Sequence, residues 1–181
     1  MKNILKNRLA LSTVVTTLII LVVSVLLAGV VTYFAINVTS TRVQEESVAM
    51  QKIHVWYDSA TPAGQAAFLL INTGGRDIVI NKITVRGQTS DWGNVYTATP
   101  VAAITGDLSY SDLTNATVDG AVTNDALTPA SGAIVFKSGA SMIIYIDSPD
   151  SITINDIGLT VGVTIFTSQA MYYQEANVQA V

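Results

Sequence analysis

The stretch LIILVVSVLLAGVV, residues 18–31, decides how this 181-residue chain is read. It is apolar on every side of a helical projection, so no amphipathic stripe can be drawn around it. A helix with that surface needs lipid or other protein around it. Outward from this stretch, no Asp, Glu, Lys or Arg occurs between Arg8 and Arg42. Residues 9–41 form an uncharged run that measures about 50 Å as a helix at roughly 1.5 Å per residue. A bilayer core asks for only about 30 Å.

Beyond Phe34 the pattern becomes one-sided. Asn37, Thr39, Ser40, Thr41, Arg42, Gln44, Glu45 and Glu46 interleave with Ala35, Ile36, Val38, Val43 and Val48, which is amphipathic helical spacing. No Pro or Gly interrupts residues 30–61. The pattern predicts one helix over residues 11–50 and a separate domain over residues 51–181.

Composition agrees with that division. Half of the chain is hydrophobic and 12% is charged, against roughly 25% charged in ordinary soluble domains. Net charge is −4, and three of the nine basic residues, Lys2, Lys6 and Arg8, lie in the first ten positions. An acidic domain with no basic cluster argues against nucleic acid as a partner. With no cysteine in the sequence, disulfides, thiol catalysis and thiolate metal sites are excluded.

Targeting is read from the junction Asn7-Arg8-Leu9-Ala10-Leu11-Ser12-Thr13. A secretory signal has about 7 to 15 apolar residues followed by a small-x-small cleavage site; this run is longer, and Tyr33-Phe34-Ala35-Ile36-Asn37 is a poor site. An uncut signal anchor would keep Lys2, Lys6 and Arg8 cytoplasmic and export the rest. In a third reading, the short basic leader ends at a small residue directly before the apolar run.

On that third reading, Arg8-Leu9-Ala10 followed by Leu11-Ser12-Thr13-Val14-Val15-Thr16-Thr17-Leu18-Ile19-Ile20 resembles the class III leader and helix start of archaeal type IV pilins and the related archaellins. Leu9 separates the basic residue from Ala10, where family members often have the two adjacent. Val15 stands at the fifth mature position, where bacterial pilins carry Glu and archaeal members commonly do not. The resemblance implies a leader over residues 1–10, cut between Ala10 and Leu11 by a prepilin peptidase with the helix retained. It also implies an assembly ATPase and a homo-oligomeric helical filament, stored in the cytoplasmic membrane before assembly. Leu11-Ser12-Thr13-Val14-Val15 looks more like a pilin than an archaellin, so an adhesive pilus is expected ahead of a swimming filament.

Residues 11–36 hold sixteen Ile, Leu, Val or Phe, each worth roughly 1.5 to 3 kcal/mol when moved out of water. In lipid that gain is already made. Helix association then rests on close approach at small or hydroxyl residues, for which Ser24, Ala28, Gly29 and Thr32 are the candidates. Gly29 costs about 1 kcal/mol of helix propensity, so close contact or a local bend is expected there.

From residue 51 the chain reads as strands at 53–57, 66–72, 78–86, 94–98, 133–137, 142–147, 158–167 and 171–179, rich in β-branched and aromatic residues and divided by turn residues. The clearest alternation sets Leu159, Val161, Val163 and Ile165 against Thr160, Gly162, Thr164 and Phe166, giving one buried face. Ile78 and Ile80 change phase with Ile83 and Val85 at Asn81-Lys82, which a bulge or a tight turn there would explain. Thr73-Gly74-Gly75 reads as a hairpin turn, and residues 99–129 as a long outer surface excursion. The expected class is α+β: a long apolar helix followed by an antiparallel immunoglobulin-like β-sandwich head.

No enzyme constellation is legible. His54 is the sole histidine, so multi-histidine metal sites cannot be built within one chain, and without cysteine no Cys-His pair can form; it reads as a strand position. No phosphate loop, dinucleotide fingerprint or zincin motif occurs, and no cofactor is expected. Asp107, Asp112, Asp119, Asp125, Asn115 and Asn124 are oxygen donors for calcium by type, but their spacing matches no known loop and reads as a solvated acidic excursion. Sequons stand at Asn115-Ala116-Thr117 and Asn37-Val38-Thr39; the first is the better glycan acceptor, because a sugar on Asn37 would block helix packing. The expectation is a structural, non-enzymatic subunit of an extracellular filament, with a membrane-anchored binding module as the alternative from another class.

Overall fold

The computed structural model describes residues 2–43, 45–100, 102–118 and 121–181, with the side chains of 2–10, 42–43 and 121–125 left out of the description. The chain divides into two compact units, Met1–Val43 and Gln44–Val181.

The first unit is one helix, α1 (Lys2–Val43). Every residue from 11 to 41 is exposed. Its Ser and Thr side chains turn back onto the helix: Thr16 donates to the Ser12 carbonyl (2.8 Å), Ser24 to Ile20 (2.7 Å), Thr32 to Ala28 (2.8 Å) and Thr41 to Asn37 (2.7 Å). These hydroxyls need no water, as an apolar surrounding requires. Leu11–Thr41 is long and apolar enough to cross a membrane.

The helix stops seven residues short of the expected end at Met50, and β1 (Val48–Asp58) begins instead. Pairing decides this. Residues 48–51 pair with 69–72 of β2 (Ala63–Asn72), and Val48, Met50 and Ile53 pack against the main core. Two exposed turns of helix would bury none of that surface.

The remaining strands are β3 (Ile78–Val85), β4 (Gln88–Thr89), β5 (Val95–Ala98), β6 (Asn115–Val118), β7 (Ala121–Ala126), β8 (Thr128–Pro129), β9 (Ile134–Phe136), β10 (Ser141–Asp147), β11 (Thr160–Thr167) and β12 (Met171–Ala180). Ten of the strands form one sheet in the order β4-β3-β11-β12-β1-β2-β10-β5-β8, with β9 also on β3; β6 and β7 form a separate hairpin. The large sheet curls into a half-barrel. Every pairing is antiparallel except β1 with β12, where Val55, Trp56 and Tyr57 run parallel to Val178, Gln179 and Ala180. A parallel neighbour needs a long connection, and here the rest of the domain supplies it.

Inside the curl lies the main core, where Phe68, Leu70, Ile80, Phe136, Ile144 and Val163 are at most 1% exposed. Val161, Val163 and Ile165 face it as the alternation predicted, whereas Leu159 is exposed. The register shift between Phe166 and Thr167 opposite Lys82 and Ile80 leaves Asn81 as the bulged residue.

Two further expectations are corrected. Thr73-Gly74-Gly75 does not close a hairpin, because β2 pairs with β1 and β10, while β3 pairs with β11, β4 and β9. The turn carries the chain from one half of the sheet to the other. Nor is the excursion an outer loop throughout: it packs on the outer face of β2 and β10, where Leu108, Ala116 and Leu127 join Trp56, Ala67, Leu69, Ile143 and Tyr145 in a second core.

Candidate functional site

On α1, the residues singled out for assembly lie on an uncharged, exposed rod. Leu11 is exposed; the side chains of Arg8 and Ala10 lie outside the described residues. Ser24 and Thr32 spend their hydroxyls on carbonyls of their own helix, the second on Ala28. Beyond the neighbouring backbone of its own helix, no described atom lies within 4 Å of a Cβ built on Gly29, so a neighbouring backbone can approach there. Asn37 is exposed and its carbonyl accepts from Thr41.

On the β domain, the outer side of β1 is braced by the excursion. Lys52 adopts a positive φ of 51° where the register of β1 against β2 slips between Gln51 and His54. That bulge aims its ammonium at the carbonyls of Thr105 (3.1 Å) and Gly106. Two residues on, the His54 ring stacks on Trp56 with centroids 5.3 Å apart. Its Nε2 meets Asp107 Oδ1 at 2.8 Å. Partial burial pushes the Asp107 carboxyl up, but the hydrogen bond and charge of His54, with the Leu108 N–H and Lys52, leave it below its usual range. Trp56 in turn meets Tyr110 edge-on at 6.3 Å.

Deeper in, Tyr145 is fully buried, and its hydroxyl donates to the Ser109 carbonyl at 2.8 Å, lies 3.0 Å from the Thr117 carbonyl and accepts from the Thr117 N–H at 3.4 Å. Burial pushes this phenol up to about 12, against the Thr117 hydrogen bond. At the end of the domain where β3 turns into β4, Arg86 and Gly87 both take positive φ (51° and 81°), as a two-residue type I′ hairpin requires. Arg86 Nη1 donates to Asp156 Oδ1 at 2.5 Å, and the other carboxylate oxygen accepts from the Thr153 N–H and hydroxyl, both at 2.8 Å. The Thr153 hydroxyl chiefly, then its N–H and Arg86, hold Asp156 below the usual carboxylate range.

The oxygen donors of the excursion do not converge. Asp107 is engaged by His54, and Asp112 closes a turn by accepting from Thr114 N–H (3.1 Å) and hydroxyl (2.6 Å). Asp119 and the side chains of Asn124 and Asp125 lie outside the described residues, and among those described no group of three His, Cys, Asp or Glu can hold a metal ion. Asn115 opens β6, partly buried, and its carbonyl accepts from Ser111. His54 sits on a strand as read, yet its bond to Asp107 across the sequence was not legible, since nothing local announces it.

No family model and no curated protein matches the chain. Among solved structures it is similar to the apo PCuAC domain of PmoF2, with a TM-score of 0.43 and 11% identity over 76% of this chain and 95% of that one. The copper-bound form of that domain gives 0.35 and 13% over 76% and 100%. The ligand-binding region of serine-glutamate repeat protein A of Enterococcus faecium gives 0.32 and 13% over 76% and 98%. At these values the likeness carries no argument about this chain.

Proposed function

We propose that this chain is a structural subunit of an archaeal type IV pilus-like extracellular filament, polymerising through α1 and serving adhesion. One observation carries the reading: the rod over Leu11–Thr41 is free of charge and exposed on every side, while the β domain closes its own two cores. Such a rod takes its partners from outside the chain, first lipid and then sister helices. Its 31 residues measure about 46 Å at roughly 1.5 Å per residue, well beyond the about 30 Å of one bilayer crossing. A single-span anchor has no use for the excess.

In this reading residues 1–10 are a leader removed before Leu11, the half-barrel is an immunoglobulin-like sandwich head whose halves stay joined along β1 and β12, and Asn115 is the glycan acceptor. The subunit is not an enzyme, and prepilin peptidase and an assembly ATPase act on it. N-terminal sequencing of surface material should begin at Leu11, and electron microscopy of sheared material should show filaments containing the chain. Intact Met1 together with heads held singly at the membrane would favour the anchored binding module. Swimming lost with the filament would assign it to an archaellum.

A further inference from the structure

The seven residues of β10 span about 23 Å at roughly 3.3 Å per residue, so the loops at Ser141 and at Asp147 mark opposite ends of the β domain. At the Asp147 end a recess of about 220 Å³ is lined by Thr89, Ser90, Asp91, Asn94, Asp147 and Asp150. Its three carboxylates have no cation from this domain: the ion pairs among the described residues are His54–Asp107 and Arg86–Asp156. Ser90 Oγ, in the wall, is closed off from water and has no hydrogen-bond partner among the described residues. The carboxylates are too spread to hold one metal ion. Such a ring suits a larger cation with several N–H donors, an ammonium or guanidinium.

Beside the recess, sharing Ser148, Pro149 and Asp150 with it, lies a groove of about 280 Å³ lined by Tyr57, Pro62, Ala63, Ile152 and Ile154. The occupant that fits both is a basic side chain with an apolar neighbour one strand repeat away.

The opposite end of the domain carries that pair. β9 is an edge strand on β3. Its alternation turns Phe136 inward, fully buried, and leaves Val135 61% exposed; Lys137, two residues from Val135, is exposed as well. Successive outward positions on a strand are about 6.6 Å apart. Arg76 is exposed in the adjoining turn, which Ser138 ties to β9 through the Gly74 carbonyl at 2.7 Å. The other described cations of the domain are committed: Lys52 to carbonyls, Lys82 over the Phe166 ring and Arg86 to Asp156. Two acidic groups at this end are also engaged, Asp77 by the Ser138 N–H and Glu46 by the Thr167 hydroxyl, while Glu45 stays exposed.

We propose that a second copy of this chain docks its β9 edge on the Asp147 end of the first. Lys137 enters the recess of Asp91, Asp147 and Asp150, Val135 covers the apolar groove, and Arg76 adds charge at the rim. The two surfaces lie on opposite ends of one copy, so the contact is heterologous and repeats as a row instead of closing. It rests on the self-assembling reading above and names the head contact within it.

Carbodiimide coupling tests this, because it joins an ammonium to a touching carboxylate without a spacer. The full chain is treated in membranes and in sheared surface material, and linked peptides are identified by mass spectrometry. The expected product joins Lys137 to Asp91, Asp147 or Asp150 in dimers and larger species, since about 23 Å rules out the link within one copy. Lys137→Gln should lower its yield at least tenfold. Lys137→Asp should disrupt assembly, and Asp147→Lys added to it should restore assembly. Filaments without the linked peptide overturn the docking and leave the filament standing; the link without filaments supports the docking and sinks the filament; absence of both overturns both.

Discussion

Gln65 and Ser111 exchange two hydrogen bonds across 46 residues of sequence: Gln65 Nε2 donates to the Ser111 carbonyl at 2.9 Å, and the Ser111 N–H donates to Gln65 Oε1 at 3.0 Å. Both residues are buried, at 2% and 5% exposure. The amide acts as a strand partner for an excursion that has none there, and so fixes where the second core closes. Gln65→Leu keeps the bulk and strands one donor and one acceptor of Ser111. Each such loss costs about 1 to 3 kcal/mol. Urea unfolding of the full chain in mild detergent, followed by fluorescence, should show a loss of about 2 to 4 kcal/mol, with Gln65→Asn intermediate because its shorter amide reaches only part way.

Tyr145 makes the domain sensitive to alkali. Its phenol is raised in the folded state to about 12 by burial, above the ordinary value near 10. A group raised on folding contributes stability that is whole below the unfolded pKa and is lost as pH climbs through the folded one. Unfolding free energy should therefore fall between about pH 10 and 12. Tyr145→Phe should flatten that fall while lowering stability at pH 7, since the Ser109 carbonyl loses its donor and the Thr117 N–H its acceptor. An unchanged alkaline slope in the variant would remove Tyr145 as its source.

Strands β2 and β10, which carry Gln65 and Tyr145, show where sequence reading stops. Each of the eight expected strands has its counterpart, because period-two alternation and turn residues are local signals. What alternation does not show is a face buried by a distant segment. Ala66 to Leu70 and Ile143 to Ile146 are unbroken apolar runs, the pattern of strands covered on both sides. That signal was present and pointed to a second layer. The layer itself was hidden: Leu108, Ala116 and Leu127 are scattered through a stretch rich in Asp, Thr, Asn and Ala, and only packing against β2 and β10 gives them a role. Val43 to Met50 failed for a related reason, since helix and strand both suit it locally and β2 decides. On the candidate surfaces, the rod was plain from charge alone, whereas the recess joins Asp91 to Asp147 and Asp150 from loops far apart in sequence.

Gly74 is held by space, not by dihedral freedom. A Cβ there would stand 2.7 Å from the Glu45 carbonyl oxygen and from Ser47 N. Both are backbone atoms, and the Ser47 carbonyl already accepts from the N–H groups of Thr73 (2.9 Å) and Gly74 (3.0 Å). Neither side can yield without losing those bonds. Gly74→Ala should cost about 1 to 3 kcal/mol, seen as a lower melting temperature, whereas Gly93→Ala, with nothing within 4 Å, should be close to neutral.

Gly29 separates what the monomer needs from what assembly needs. Beyond the neighbouring backbone of its own helix, no described atom lies within 4 Å of its would-be Cβ, so a larger side chain fits on the helix taken by itself. Gly29→Leu also raises helix propensity by close to 1 kcal/mol, and the chain should accumulate in the membrane with the β domain melting as in the parent. If sister helices approach closely at this point, the added side chain holds their backbones apart. Filament yield in sheared material should then fall at least tenfold, with Gly29→Ala less affected. Filaments of normal yield and diameter from Gly29→Leu would show that the close approach lies elsewhere on the rod, and membrane accumulation measured in parallel separates that result from failed insertion.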